Sequence, residues 1–197
     1  MPKGIPITEE ELTRRRSEIA NTAVQIFTEK GFSETSMREI AEAAGVGKST
    51  IYDYFPSKDE ILINFIGEET RQLTIWAEEI LAQDLSAAEK IRRIMCKHLE
   101  HLLANKQQFL KVTLEAQRLS TDSQKRIQRH RHDYQDLMCD LVQEGIKSSE
   151  FRPVNPLLTV RVMLTLLSSA VYTTRPTGSP EEMLLDTLDI LFKGMEA

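Results

Sequence analysis

Cysteine is almost missing from this 197-residue chain, with two residues, Cys96 and Cys139. Two thiols make neither a disulfide framework nor a metal site, and they suit a reducing cytoplasm. Glycine is scarce as well, at eight residues, and strand-like alternation is lacking, which turns the composition toward helices. Long apolar runs are lacking: the best candidate, 157–172, is interrupted by Arg161 and too short for a membrane span. The chain opens without an apolar signal-peptide stretch, and its first helix begins on Glu9, Glu10 and Glu11. No Ser/His/Asp order, phosphate-binding P-loop or dinucleotide fingerprint occurs, so a non-enzyme needing no cofactor and no metal is expected. A basic excess is missing too. The net charge is −5, and residues 1–70 hold eight Lys and Arg against thirteen Asp and Glu. Any nucleic-acid role must therefore rest on where the cations sit, not on how many there are.

What the chain has in quantity is helix punctuation. Ser or Thr followed three residues later by Glu marks helix starts at Thr8/Glu11, Ser36/Glu39, Ser57/Glu60, Ser86/Glu89 and Ser179/Glu182. Gly31, Gly45 and Pro56 mark stops. An all-α chain of about nine helices is expected, over 8–30, 36–43, 47–54, 57–82, 86–103, 106–119, 122–149, 155–174 and 180–194.

The most specific stretch runs from Thr35 to Phe55. Two short helices flank Gly45, whose missing Cβ permits the left-handed backbone of a tight turn. Ile40, Ala41 and Ala44 line one helix, and Val46, Ile51 and Phe55 the other. Lys48, Ser49, Thr50, Tyr52, Asp53 and Tyr54 are left facing outward, within reach of phosphates and base edges. This is the layout of a helix-turn-helix reader of DNA. Thr35 and Ser36 offer hydroxyls and open amides to phosphate at the first helix start, and Arg14–Arg16, Arg38, Lys48 and Lys58 are expected to line one surface. Asp53 has two readings. It accepts a hydrogen bond from a cytosine amine, or it points sideways and pairs with Lys48 or Ser49.

The segment from Arg14 to Ile63 resembles the N-terminal domain of the tetracycline-repressor (TetR) family of bacterial transcriptional regulators. The residues that carry the likeness are Arg14–Arg16, Ala23–Phe32, Thr35–Val46, Lys48–Phe55 and Ser57–Leu62. The resemblance implies a helix-turn-helix domain over 8–56, with the helix over 57–82 as connector. It further implies an effector-binding and dimerisation domain over 57–197, and a ligand-responsive regulator, most often a repressor on a palindromic operator. Tyr54 and Lys58 are similar to family positions that clamp the DNA backbone. Gly47, where serine is common, and Asp53, where histidine is common, depart from the pattern.

The remainder supplies the other expected partners. The helix over 155–174 is apolar nearly all round and that over 180–194 similarly so, which suggests a two-fold four-helix homodimer interface, or else two core helices. A pocket for a small hydrophobic or amphipathic effector is expected among Met95, His98, Leu99, Leu102, Phe109, Thr113, Gln117, His130, Tyr134, Met138 and Met163. The rival readings are a redox sensor through Cys96 and Cys139, and a metal-dependent enzyme built on His98 and His101 with Glu100 or Glu115.

Overall fold

The computed structural model describes residues 8–195. Among them are nine helices: α1 (Glu9–Lys30), α2 (Met37–Ala43), α3 (Ile51–Tyr54), α4 (Lys58–Leu81), α5 (Ala87–Ala104), α6 (Lys106–Ala116), α7 (Thr121–Lys147), α8 (Pro156–Tyr172) and α9 (Pro180–Lys193). The all-α expectation holds.

Local chemistry starts these helices where the sequence says it should. The hydroxyls of Thr8, Ser57 and Ser86 accept the amides of Glu11, Glu60 and Glu89. Ser36 and Ser179 close complete reciprocal boxes with Glu39 and Glu182, satisfying orphan amides at both places. Gly31 and Gly45 take φ of 104° and 65°, the left-handed region that ends α1 and makes the α2–α3 turn.

The third helix is shorter than expected. Regular α-helix begins at Ile51, and 48–50 form a tight turn whose winding is carried by Ile51 N–H to the Gly47 carbonyl and Tyr52 N–H to that of Ser49. A Cβ at residue 47 would sit 3.0 Å from the Thr50 hydroxyl. Thr50 is exposed and its hydroxyl can turn aside, so nothing in the structure explains that departure from the family pattern.

The chain packs as two compact units. The first runs to Glu69 and adds Gln107–Gln128; the second combines Thr70–Lys106 with everything from Arg129 onward. This differs from a boundary at 56/57. In the first unit, Ile19, Ala23, Val24, Phe27, Ile40, Ile51, Phe55, Ile61 and Leu62 share one core with Val112, Ala116, Leu119 and Ile127. The α6–α7 corner thus supplies the layer that buries the first half of α4. In the second unit, α8 packs on α9 and both pack on α5. The core there is Ile91, Met95, Leu99, Met138, Leu141, Met163, Leu167, Leu184 and Leu188, all nearly or fully inaccessible.

Candidate nucleic-acid interface and effector core

In the first unit, α3 is held by its two apolar anchors. Ile51 and Phe55 are wholly buried, which leaves Tyr52 (55% exposed) and Asp53 outside. Arg16 sets the end of this short helix: its Nη1 donates to the Tyr54 carbonyl at 2.8 Å, and its guanidinium lies 4.4 Å from the centre of the Phe55 ring.

The cations of this unit divide into engaged and unengaged ones. Arg14 and Arg15 pair with Glu11 and Glu18 on their own helix. Lys30 pairs with Glu39, and that contact, followed by the Ser36 amide, holds the Glu39 carboxyl down at about 2. Lys58 donates to the Phe32 carbonyl at 2.6 Å and to that of Ser33 at 3.4 Å, with its ammonium over the Phe32 ring. Among the described cations up to Lys58, only Arg38 and Lys48 make no such contact, and both are exposed. The pairs cancel, so the net acidity rests on the remaining carboxylates, and the cations left without such a contact are Lys48, at the start of the α3 turn, and Arg38, on α2.

Five residues expected on the DNA-facing surface are engaged elsewhere in this geometry. Thr35 is 2% exposed, and its hydroxyl donates to the Gly31 carbonyl at 2.7 Å, closing the α1–α2 turn. Lys58 is spent on the same turn from the other side. Arg14 and Arg15 are exposed but paired with acids of their own helix, and Arg16 is turned to the Tyr54 carbonyl. Ser36 stays exposed with its hydroxyl engaged in the capping box. Arg38, Lys48, Ser49, Thr50, Tyr52 and Asp53 are all exposed and Tyr54 half-buried. Sequence reasoning missed Arg16 as a brace for α3, because its acceptor is a backbone carbonyl 38 residues away.

The expected pocket residues divide. Met95, Leu99, Met138 and Met163 are buried in the second unit, with Leu102 packed against them. Phe109, Thr113 and Gln117 fall in the first unit instead, and Thr113 and Gln117 are exposed. The reason is rotational: α6 turns Val112 and Ala116 to its core and leaves 113 and 117 outside. His130 is exposed too, since α7 buries Tyr134, Met138 and Leu141 along a stripe that passes it by.

Two of the expected polar residues do meet. Tyr134 Oη and His98 Nδ1 are 3.3 Å apart, with the rings edge-on at 5.6 Å. Burial lowers His98 to about 4, helped by the charge of His101, and burial raises the Tyr134 phenol. Both are thus neutral at physiological pH. Leu73, Trp76, Ala77, Ile80 and Ile94 close around the pair. Trp76, which no motif singles out, stacks edge-on with His101 and carries the Lys97 ammonium over its ring.

The rival chemistries gain no support. The His98 Nδ1 is engaged by Tyr134 while His101 lies on Trp76, and no cluster of three metal-type ligands occurs among the described residues. Burial, then nearby carboxylates (Glu181 for Cys96, Asp136 for Cys139), raises both thiols, which disfavours the reactive thiolate. No helix among the described residues is long and apolar enough to cross a membrane.

Comparison with known proteins fits this geometry. Residues 19–64 match the model of the bacterial regulatory proteins of the tetR family, and residues 84–195 match a tetracyclin repressor-like C-terminal domain. The fatty acid metabolism regulator protein of Bacillus subtilis is 28% identical over 135 residues, 68% of this chain and 70% of that protein. Among solved structures, the TetR-family regulator PfmR of Thermus thermophilus superimposes with a TM-score of 0.70 at 27% identity, over 91% of this chain and 99% of that one. FadR from Bacillus subtilis, solved in complex with stearoyl-CoA, shares the fold with a TM-score of 0.79 at 24% identity, over 91% and 98%.

Proposed function

The chain belongs to the TetR family of bacterial transcriptional regulators and is a ligand-responsive DNA-binding protein; from that premise we propose that it is a homodimeric repressor in the cytoplasm, released from a palindromic operator by an amphipathic acyl effector. The observation that carries the DNA half is the unpaired Lys48 beside Ser49, Thr50, Tyr52 and Asp53 on a turn anchored by Ile51 and Phe55, with a second unpaired cation, Arg38, exposed on α2. Free cations meet phosphates, and the outward polar side chains meet base edges.

The dimer half rests on α8 and α9. Their inner faces are buried, yet Leu158 is 61% and Ile190 71% exposed, with Leu157, Val162 and Tyr172 also open. A chain that leaves large aliphatics on two adjacent helices is built to cover them with a second copy. Two reading heads then contact successive half-sites and roughly double the contacts.

The effector reading rests on the second unit's interior. Met95, Met138 and Met163 are flexible side chains that can make way for an alkyl chain, and the neutral His98–Tyr134 pair offers one polar anchor among them. A neutral pair suits the uncharged carbonyl of a thioester or ester better than a free carboxylate. The relative named for fatty acid metabolism points the same way. Nothing in this arrangement calls for catalysis.

Selection from random duplexes followed by titration of the bound complex tests the reading. A two-fold symmetric site should emerge, and long-chain acyl-CoA should release the protein where the matching free acid does not. Selection of no sequence, or indifference to every acyl compound, removes the corresponding half.

A further inference from the structure

Ile51 and Phe55 fix which way α3 faces, since both are wholly buried. At about 100° per residue, Asp53 lies roughly 160° round the helix from Ile51, on the side away from that anchor. Tyr52 and Tyr54 lie to either side. Asp53 is exposed accordingly, and among the described residues its carboxylate makes no hydrogen bond or ion pair. Lys48 and Ser49, the neighbours that would turn it aside, do not hold it. An unpaired carboxylate thus occupies the crest of the surface that approaches a polyanion. Left unused there, it costs affinity through repulsion from phosphates.

We propose that Asp53 is a specificity-determining residue that selects one cytosine per operator half-site, accepting a hydrogen bond from the N4 amine in the major groove. The inference rests on the DNA-reading role above. The carboxylate is an acceptor only. Guanine presents N7 and O6 and thymine presents O4, all acceptors that repel it; adenine sets its N6 donor beside the N7 acceptor. Cytosine alone offers a donor without a neighbouring acceptor on the same base edge. The same repulsion that makes Asp53 a liability on wrong sequences therefore becomes discrimination on the right one.

The test uses the full-length protein and the operator selected by it, with all four bases placed in turn at each half-site position. Fluorescence anisotropy at fixed salt gives Kd for the wild type, Asp53→Asn and Asp53→Ala, and thermal melts confirm that the exposed substitutions leave the fold unchanged. The wild type should prefer cytosine at one position by about tenfold to a hundredfold. Asp53→Ala should flatten that position alone, while Asp53→Asn should move its preference to adenine, whose N6 and N7 match an amide. Cytosine preference that survives both substitutions overturns the inference, as does an equal loss of discrimination at every position. A wild type that selects no sequence defeats the DNA-reading role itself, and Asp53 falls with it.

Discussion

Arg126 holds Glu60 with both arms of its guanidinium, Nη2 to Oε2 at 2.8 Å and Nη1 to Oε1, joining the first turns of α7 to the first turn of α4. The partners are 66 residues apart, and the pairing is the main reason that the Glu60 carboxyl titrates below its ordinary value. Within the first unit, this bridge accompanies the burial of Val112, Ala116, Leu119 and Ile127 against the reading head.

A double-mutant cycle on Glu60→Gln and Arg126→Ala should therefore give a coupling of about 0.5–1.5 kcal/mol in urea unfolding. That is above a surface pair because the contact is bidentate, and below a buried one because Arg126 keeps 37% of its side chain exposed. The Glu60 pKa is depressed on folding. The stabilisation is thus fully present above pH 4.5 and is lost as the pH falls through the lowered value. Additive single mutants would show that the two helices are held by apolar contacts alone.

Gly145 is a second point where a distant residue dictates the choice. A Cβ there would run into the Phe151 ring and sit 3.0 Å from the Ala87 Cβ. Phe151 cannot withdraw easily, being 3% exposed and stacked on Phe192 at 5.9 Å. Gly145→Ala gains about 1 kcal/mol in helix propensity and loses more to overpacking. A net destabilisation of about 1–2 kcal/mol is expected by thermal or urea unfolding, recovered in part by Phe151→Leu. A stabilised Gly145→Ala protein would contradict this packing.

What the sequence made legible was the chemistry that acts across three or four residues. Ser36 with Glu39, Ser179 with Glu182, the left-handed Gly45 and the anchors Ile51 and Phe55 are all local, and all appear in place. The sequence did not show which of two apolar stripes α6 would bury. Phe109, Thr113 and Gln117 read as inward, but Val112, Ala116 and Leu119 meet a partner surface that no local pattern reveals. Thr35 and Lys58 misled for the same reason. Their residue types suit phosphate, yet carbonyls of the α1–α2 turn take both of them first.

The His98–Tyr134 pair predicts a pH response. Burial lowers His98 from 6.5 to about 4 on folding. Above pH 6.5 both states are neutral and the group is silent. Below it the unfolded chain takes up a proton that the folded one refuses, so stability falls as the pH drops toward about 4. Partial access to solvent keeps the full effect to about 1–3 kcal/mol. Unfolding between about pH 6.5 and 5, above most carboxylates, should show this slope in the wild type and a flatter one in His98→Gln. Equal slopes would place His98 in open water.

The outer faces of α8 and α9 predict an oligomeric state. Leu158 and Ile190 are open in the single chain, so Leu158→Glu with Ile190→Glu should leave the monomer folded while adding two charges to the covered interface. Sedimentation velocity at micromolar concentration should shift from dimer to monomer, and operator affinity should fall with it. A double variant that sediments as the wild type would place the interface elsewhere.

Lys48 and Lys58 separate a DNA contact from a structural lysine on the same short stretch of chain. Lys48 is exposed and, among the described residues, unpaired, whereas Lys58 donates to the Phe32 carbonyl and covers the Phe32 ring. Lys48→Ala should weaken binding to every duplex alike and reduce the steepness of log K against log salt by about 0.9 for each phosphate contact removed. Lys58→Ala should keep the salt slope and instead lower unfolding stability by about 1–2 kcal/mol, since it abandons a part-buried carbonyl and an aromatic face. Binding titrations between about 50 and 200 mM salt, with a melt of each variant, read both quantities. A Lys58→Ala protein with normal stability and a shallower salt slope would return that residue to the phosphate backbone and undo the distinction drawn from its contacts.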